Sequence, residues 1–110
     1  MKRLFMGREL DWASGLFEGE GCIGLHRVHG GRYEYPCLQL STDDEDVARR
    51  FHAAVGGLGK VYGPYGPYGN QNRAHWQWAV HRFEPAQAVL AMLWTGLGER
   101  RRACAAEVFA

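Results

Sequence analysis

The stretch WASGLFEGEGCIGL, Trp12 to Leu25, sets Gly15, Gly19 and Gly21 around Glu18 and Glu20, between two apolar runs. A glycine inside a helix costs roughly 1 kcal/mol against alanine, and neighbouring carboxylates repel. Yet the residues leading in, RELDWASGLFEGE (8–20), place Leu10, Ala13, Leu16 and Phe17 at helical spacing. From Gly21 the period switches to two, because in CIGLHRVH the apolar Ile23 and Leu25 alternate with Gly24 and His26. The reading is a helix that runs straight into a strand, with its glycines and carboxylates concentrated at the junction.

Outward from that junction the same two periods alternate. HGGR supplies a turn and YEYPCLQLS alternates again through Leu38 and Leu40, so a hairpin with one apolar and one polar face follows the helix. In STDDEDVARRFHAAVGG, Thr42 stands three residues before Glu45, a capping-box spacing, and acids fill the first turn. Val47, Phe51, Ala54 and Val55 form the stripe of this second helix, and Gly56-Gly57 ends it. A second hairpin is expected from KVYGPYGPYGNQNRAHWQWAVHR, with Trp76, Trp78 and Val80 inward and a connection rich in Gly, Pro and Tyr. Pro85 suits the first turn of a third helix, EPAQAVLAMLWTGLG, broken at Gly96 and Gly98 before a short carboxy-terminal helix in ERRRACAAEVFA.

The order is thus helix, two strands, helix, two strands, helix, helix: an α+β chain whose 110 residues are expected to form a single domain, 1–110. Its 46% apolar and 23% charged residues suit a folded globule. No apolar run approaches the ~20 residues of a membrane span, and MKRLFMGREL lacks the apolar middle of a signal peptide, so a cytoplasmic location and no membrane partner are expected. Cys22, Cys37 and Cys104 are odd in number, well separated and without a CxxC pair, which argues against both a disulfide framework and a zinc site. A net charge of +1 gives no reason by itself to expect nucleic acid, but Asp43 to Asp46 gather four of the twelve acids in one run, and basic residues concentrate elsewhere.

Ala13 to Gly21, ASGLFEGEG, resembles the signature nonapeptide of the LAGLIDADG homing endonucleases. Gly15, the apolar pair Leu16-Phe17, the acids Glu18 and Glu20, and Gly21 line up with it, while Ala13 and Ser14 stand where the family usually has Leu and Ala. The helix–hairpin–helix–hairpin–helix order also matches the family's to about residue 95. The resemblance implies the αββαββα(α) fold of that family, an antiparallel saddle-shaped sheet with helices on one face.

Gly15 and Gly19 are four apart and share one helix face, which lets two such helices approach with their backbones nearly touching. In the family that face is where two motif helices meet. This chain carries one motif only, so the resemblance implies a homodimer joined through Trp12, Gly15, Leu16 and Gly19, and a near-palindromic double-stranded DNA target. It also places Glu20 and Gly19 at a divalent metal, Mg²⁺ or Mn²⁺, with Glu20 the essential carboxylate of a double-strand cut. Glu18, two residues earlier, points elsewhere on the helix and is assigned a structural role. LGERRRACA resembles the segment that delivers a basic residue to the scissile phosphate, with Arg100 the first choice and Arg102 the second.

The outward faces of the two hairpins supply the expected DNA contacts. From the first come His26, Val28, Arg32, Tyr33, Tyr35, Gln39 and Ser41; from the second come Lys60, Tyr62, Arg73, His75 and Gln77. Ile23, Leu25, Leu38 and Leu40 face inward on this reading. The five histidines lack the spacing of a histidine-based nuclease. Two other readings stay open. The same fold can bind DNA or RNA without cutting, as regulators and maturase-like relatives do, or the glycine face can serve dimerisation alone. The plain alternative for the motif itself is a glycine helix cap with solvated glutamates.

Overall fold

The computed structural model describes residues 2–110, with side chains from Gly7 onward. The elements are α1 (Lys2–Glu20), β1 (Gly21–Val28), β2 (Tyr33–Thr42), α2 (Glu45–Ala54), β3 (Lys60–Tyr65), β4 (His75–His81), α3 (Phe83–Leu93), a 3₁₀ turn (Trp94–Gly96) and α4 (Glu99–Val108). The four strands form one antiparallel sheet in the order β1-β2-β4-β3, so each hairpin contributes one central and one edge strand. Among the described residues no helix is long and apolar enough to cross a membrane.

The core lies between the helices and one face of this sheet. Ile23, Leu38, Leu40, Trp78 and Val80 project from the strands onto Ala13 and Phe17 of α1, Phe51 of α2, Ala86, Val89, Leu90 and Leu93 of α3, and Ala105 of α4. Phe51 sits centrally, edge-on to Trp78 at 4.6 Å and stacked against Phe17 at 6.2 Å. The Trp78 indole N–H donates to the Leu58 carbonyl at 3.0 Å, which satisfies the one polar atom of that fully buried ring.

Four local expectations are corrected. Helix α1 begins at Lys2, six residues before the apolar spacing suggested, because MKRLFM contains no Gly or Pro to stop it. Leu25 is 46% exposed, since β1 runs past the helix layer; beyond it Arg27 pairs with Glu34 at 2.9 Å on that same uncovered side. Thr42 is the last residue of β2 and its hydroxyl accepts the Asp44 N–H at 3.2 Å, so no capping box forms, and Asp44 occupies the N-cap of α2. Finally α3 stops at Leu93, and the chain tightens into the 3₁₀ turn before Gly98, leaving Trp94 on the surface.

Candidate metal centre and nucleic-acid interface

Helix α1 passes into β1 without a loop, and the junction is held from both sides. A side chain at Gly21 would place its Cβ 2.5 Å from the Phe17 ring, so only glycine lets the strand leave at that angle. On the other side the Glu18 carboxylate accepts the Gly98 N–H at 3.0 Å and thereby caps the amino end of α4. Arg101, one turn into α4, returns the bond by donating to the Glu18 carbonyl at 3.1 Å and to the Gly21 carbonyl, with its guanidinium 5.9 Å from the Phe17 ring. Ser14 is buried, donates to the Leu10 carbonyl at 2.8 Å, and lies where a Cβ on Gly96 would meet it at 2.3 Å. A residue larger than serine at 14 would push the 3₁₀ turn away, which explains a small side chain at that motif position.

Beside this braced end Glu20 is exposed, and it opens into a cleft of about 450 Å³ lined also by Leu16, Ser41, Thr42, Asp43, Asp44, Val47 and Arg73. Arg73 is bonded to Asp44 at 3.1 Å, so the one arginine lining the cleft is turned to the acidic start of α2. The hard-oxygen donors that fit Mg²⁺ or Mn²⁺ are the Glu20 carboxylate and the Gly19 carbonyl, which falls in the last helical turn where no intrahelical N–H follows. Among the described residues no group of three or more His, Cys, Asp or Glu side chains converges on one point. Among the described residues Glu20 therefore belongs to no such cluster, and the acids that share its cleft are Asp43 and Asp44.

The face of α1 that leads to Glu20 carries two of the motif's glycines. Gly15 and Gly19 are exposed, and a Cβ on either would meet nothing within 4 Å; Gly7, about two turns before Gly15, is equally open. Among the described residues no contact accounts for glycine at these three helical positions. Trp12 and Leu16 flank the stripe half-buried, and Trp12 is already covered on one face by the Arg50 guanidinium at 3.9 Å, itself bidentate to Glu9 at 2.7 and 3.0 Å. Trp12 thus helps fix α1 on α2 as well as edging the glycine stripe.

The outer sheet face carries the hairpin residues singled out above. The register sets His26 opposite Tyr35 and Val28 opposite Tyr33, and places Gln39, Ser41, Gln77, Lys60 and Tyr62 on the same side, away from the core. The Gln77 amide donates to Gln39 Oε1 at 3.0 Å, which orients both amides. Arg32 lies in the exposed β1–β2 turn and His75 at the start of β4. Three further residues join this face: Cys22, Cys37 and His81, the last with its ring 4.6 Å from that of His26. Burial, and then the neighbouring Cys22, pushes the Cys37 thiol up. Burial, and then His26, lowers His81.

The arginine run at the start of α4 divides three ways. Arg100 is exposed; Arg102 donates to the Trp94 and Thr95 carbonyls at 3.2 and 3.4 Å with its guanidinium 5.4 Å from the Trp94 ring; only Arg101 reaches the end of α1. Spacing within RRR could not distinguish them, because three consecutive residues of a helix point in three directions about 100° apart.

No family sequence model and no curated protein sequence matches the chain. Solved structures do. The homing endonuclease I-CvuI in complex with its target matches at a TM-score of 0.75 and 18% identity, over 96% of this chain and 66% of that one. The archaeal intron-encoded homing endonuclease I-Vdi141I complexed with DNA matches at 0.56 and 17%, over 86% and 57%. The LAGLIDADG homing endonuclease I-SmaMI bound to cleaved DNA matches at 0.59 and 17%, over 78% and 29%. The chain spans about two thirds of the length of I-CvuI and under a third of I-SmaMI. An antiparallel four-stranded sheet with helices on one face, a motif helix ending at Glu20 and these matches together give the chain the LAGLIDADG homing endonuclease fold.

Proposed function

We propose that the chain is a site-specific DNA endonuclease that acts in the cytoplasm as a homodimer and makes a metal-dependent double-strand cut at a near-palindromic site. The observation that carries this reading is Glu20: an exposed carboxylate at the end of a helix on which a Cβ at Gly15 or Gly19 would meet nothing within 4 Å among the described residues. Pairing two α1 helices along Gly15 and Gly19 brings two Glu20 side chains toward the twofold axis, where their repulsion is relieved by cations. Glu20 and the Gly19 carbonyl would hold a divalent ion, which when bound would neutralise charge and lower the pKa of a water at the phosphodiester. The outer sheet faces of the two copies form one continuous surface, on which Gln39, Gln77, Arg32 and Tyr33 read base edges and Lys60 and Tyr62 hold phosphates. Arg100, exposed beside the junction, is the basic group free to reach a phosphate, with Arg102 next to it on the Trp94 carbonyl.

Incubation of the protein with a random duplex pool and Mg²⁺, followed by sequencing of cut ends, tests the activity. Glu20→Gln is expected to abolish cutting while leaving DNA affinity within a few-fold; undiminished cutting by that variant removes Glu20 from the mechanism. The acid at Asp43 and Asp44 beside Glu20, with Arg73 tied to Asp44, favours one second reading, DNA binding without cleavage. Wild-type protein that binds duplex with a steep salt dependence yet never cuts is the result that selects it.

A further inference from the structure

The β3–β4 hairpin ends in a group of aromatic rings that the fold does not bury. Tyr65 and Tyr68 are 37% and 61% exposed, and both rest against His75, with ring centroids 5.6 and 6.2 Å away. The group is braced: the Tyr68 N–H donates to Gln71 Oε1 at 3.0 Å and its carbonyl accepts the Gln71 N–H at 2.9 Å, while Pro67 fixes the preceding φ. Gly66 at φ 74° makes the bend, and a Cβ there would meet the Tyr68 nitrogen at 3.0 Å. His75 Nδ1 is buried without a hydrogen-bond partner among the described residues, so this ring serves the tyrosines as a wall on that side. An exposed aromatic pair held in a closed turn has already lost most of the freedom that a contact would take from it.

Position and charge say what meets it. Tyr65 is the cross-strand partner of His75, and Tyr62 of Gln77, so the rings extend the outer sheet face beyond its polar readers. Lys60, exposed at the base of the hairpin, brings positive charge to this face, while Arg73 near the tip is paired with Asp44. We propose that Tyr65 and Tyr68 cover thymine C5-methyl groups in the major groove, making the hairpin tip a specificity element for thymine; this rests on the DNA-binding reading above. Stacking on a base is the other use of a tyrosine ring, but in an intact duplex it first requires unstacking, which costs as much as stacking returns. A methyl in the major groove is reached without deforming the DNA.

The test uses duplexes enriched by the full-length protein from a random pool, remade with deoxyuridine replacing thymidine one position at a time. Loss of one covered methyl is expected to weaken binding about fourfold, at positions beneath the hairpin tip. Tyr68→Ala should lose the same factor on the thymidine duplex and no longer distinguish deoxyuridine at the position that Tyr68 covers, with an unchanged salt slope. Tyr68→Phe should behave as wild type. Wild-type indifference to deoxyuridine at every position, discrimination that survives Tyr68→Ala and Tyr65→Ala together, or a Phe variant as weak as the Ala variant each overturns the inference while leaving DNA binding intact. If no duplex is enriched at all, the DNA-binding reading fails and this inference falls with it.

Discussion

His81 shows how a single side chain on the outer sheet face couples to pH. Its Cα partner is Cys37 and its ring lies against His26, whose own partner is Tyr35, so no acid faces it across the ladder. Burial and the second imidazole both disfavour the imidazolium and lower its pKa from the ordinary value near 6.5. In the window between the lowered folded value and 6.5 the unfolded chain binds more protons than the native one, so stability rises with pH there. The contribution is complete above 6.5 and is lost as pH falls toward the folded value. Thermal melts should therefore show the midpoint dropping as pH falls below 6.5, and His81→Gln should flatten that part of the curve. A variant with the wild-type slope would assign the dependence to another histidine.

At the scale of elements, the structure turns on the contact between the end of α1 and the start of α4. Glu18 caps α4 through Gly98, and Arg101 donates to the Glu18 and Gly21 carbonyls, so each helix end satisfies the other's orphan groups. Charge-assisted bonds of this kind are worth about 1.5–3 kcal/mol when a partner is removed, and in a domain of about 100 residues each kcal/mol moves Tm by roughly 4–8 °C. Arg101→Ala is accordingly expected to lower Tm by roughly 6–24 °C, whereas Arg100→Ala, at an exposed position, should shift it by no more than about 2–4 °C. Equal melting temperatures for the two variants would contradict the brace. This contact also marks what sequence reading reaches. The switch from helical to alternating period at Gly21, the Gly56-Gly57 stop and the Trp-Gln-Trp alternation each reflect burial on one face of one element, and each is legible locally. Glu20 stands out only through the resemblance of ASGLFEGEG to the family's nonapeptide, and its role belongs to the proposal above. Which arginine of three meets α1, why Leu25 lies bare and why Thr42 ends a strand depend on where α4, the helix layer and the β2–α2 turn lie in space, and no spacing along the chain encodes that.

For the molecule as a whole, the glycine stripe on α1 sets two expectations of opposite sign. If α1 stays bare, Gly19 is a plain defect: its Cβ position is open, and Gly19→Ala should add up to about 1 kcal/mol of helix stability. If two copies of α1 cross there, the same open space is where the partner's backbone lies, and a side chain separates the helices. On the proposed assembly, Gly19→Leu should convert the protein from dimer to monomer by light scattering, while its melting curve at low concentration stays cooperative, because the leucine meets nothing in its own chain within 4 Å of Cβ. Gly7→Leu, more than three turns before Glu20, should weaken the dimer less, since helices that cross at an angle diverge from the point of closest approach. Cleavage should follow the dimer, because one chain supplies a single Glu20, which among the described residues belongs to no cluster of three metal-ligating side chains. A Gly19→Leu protein that remains dimeric would place the interface elsewhere, and one that remains monomeric yet cuts would show that a single carboxylate suffices.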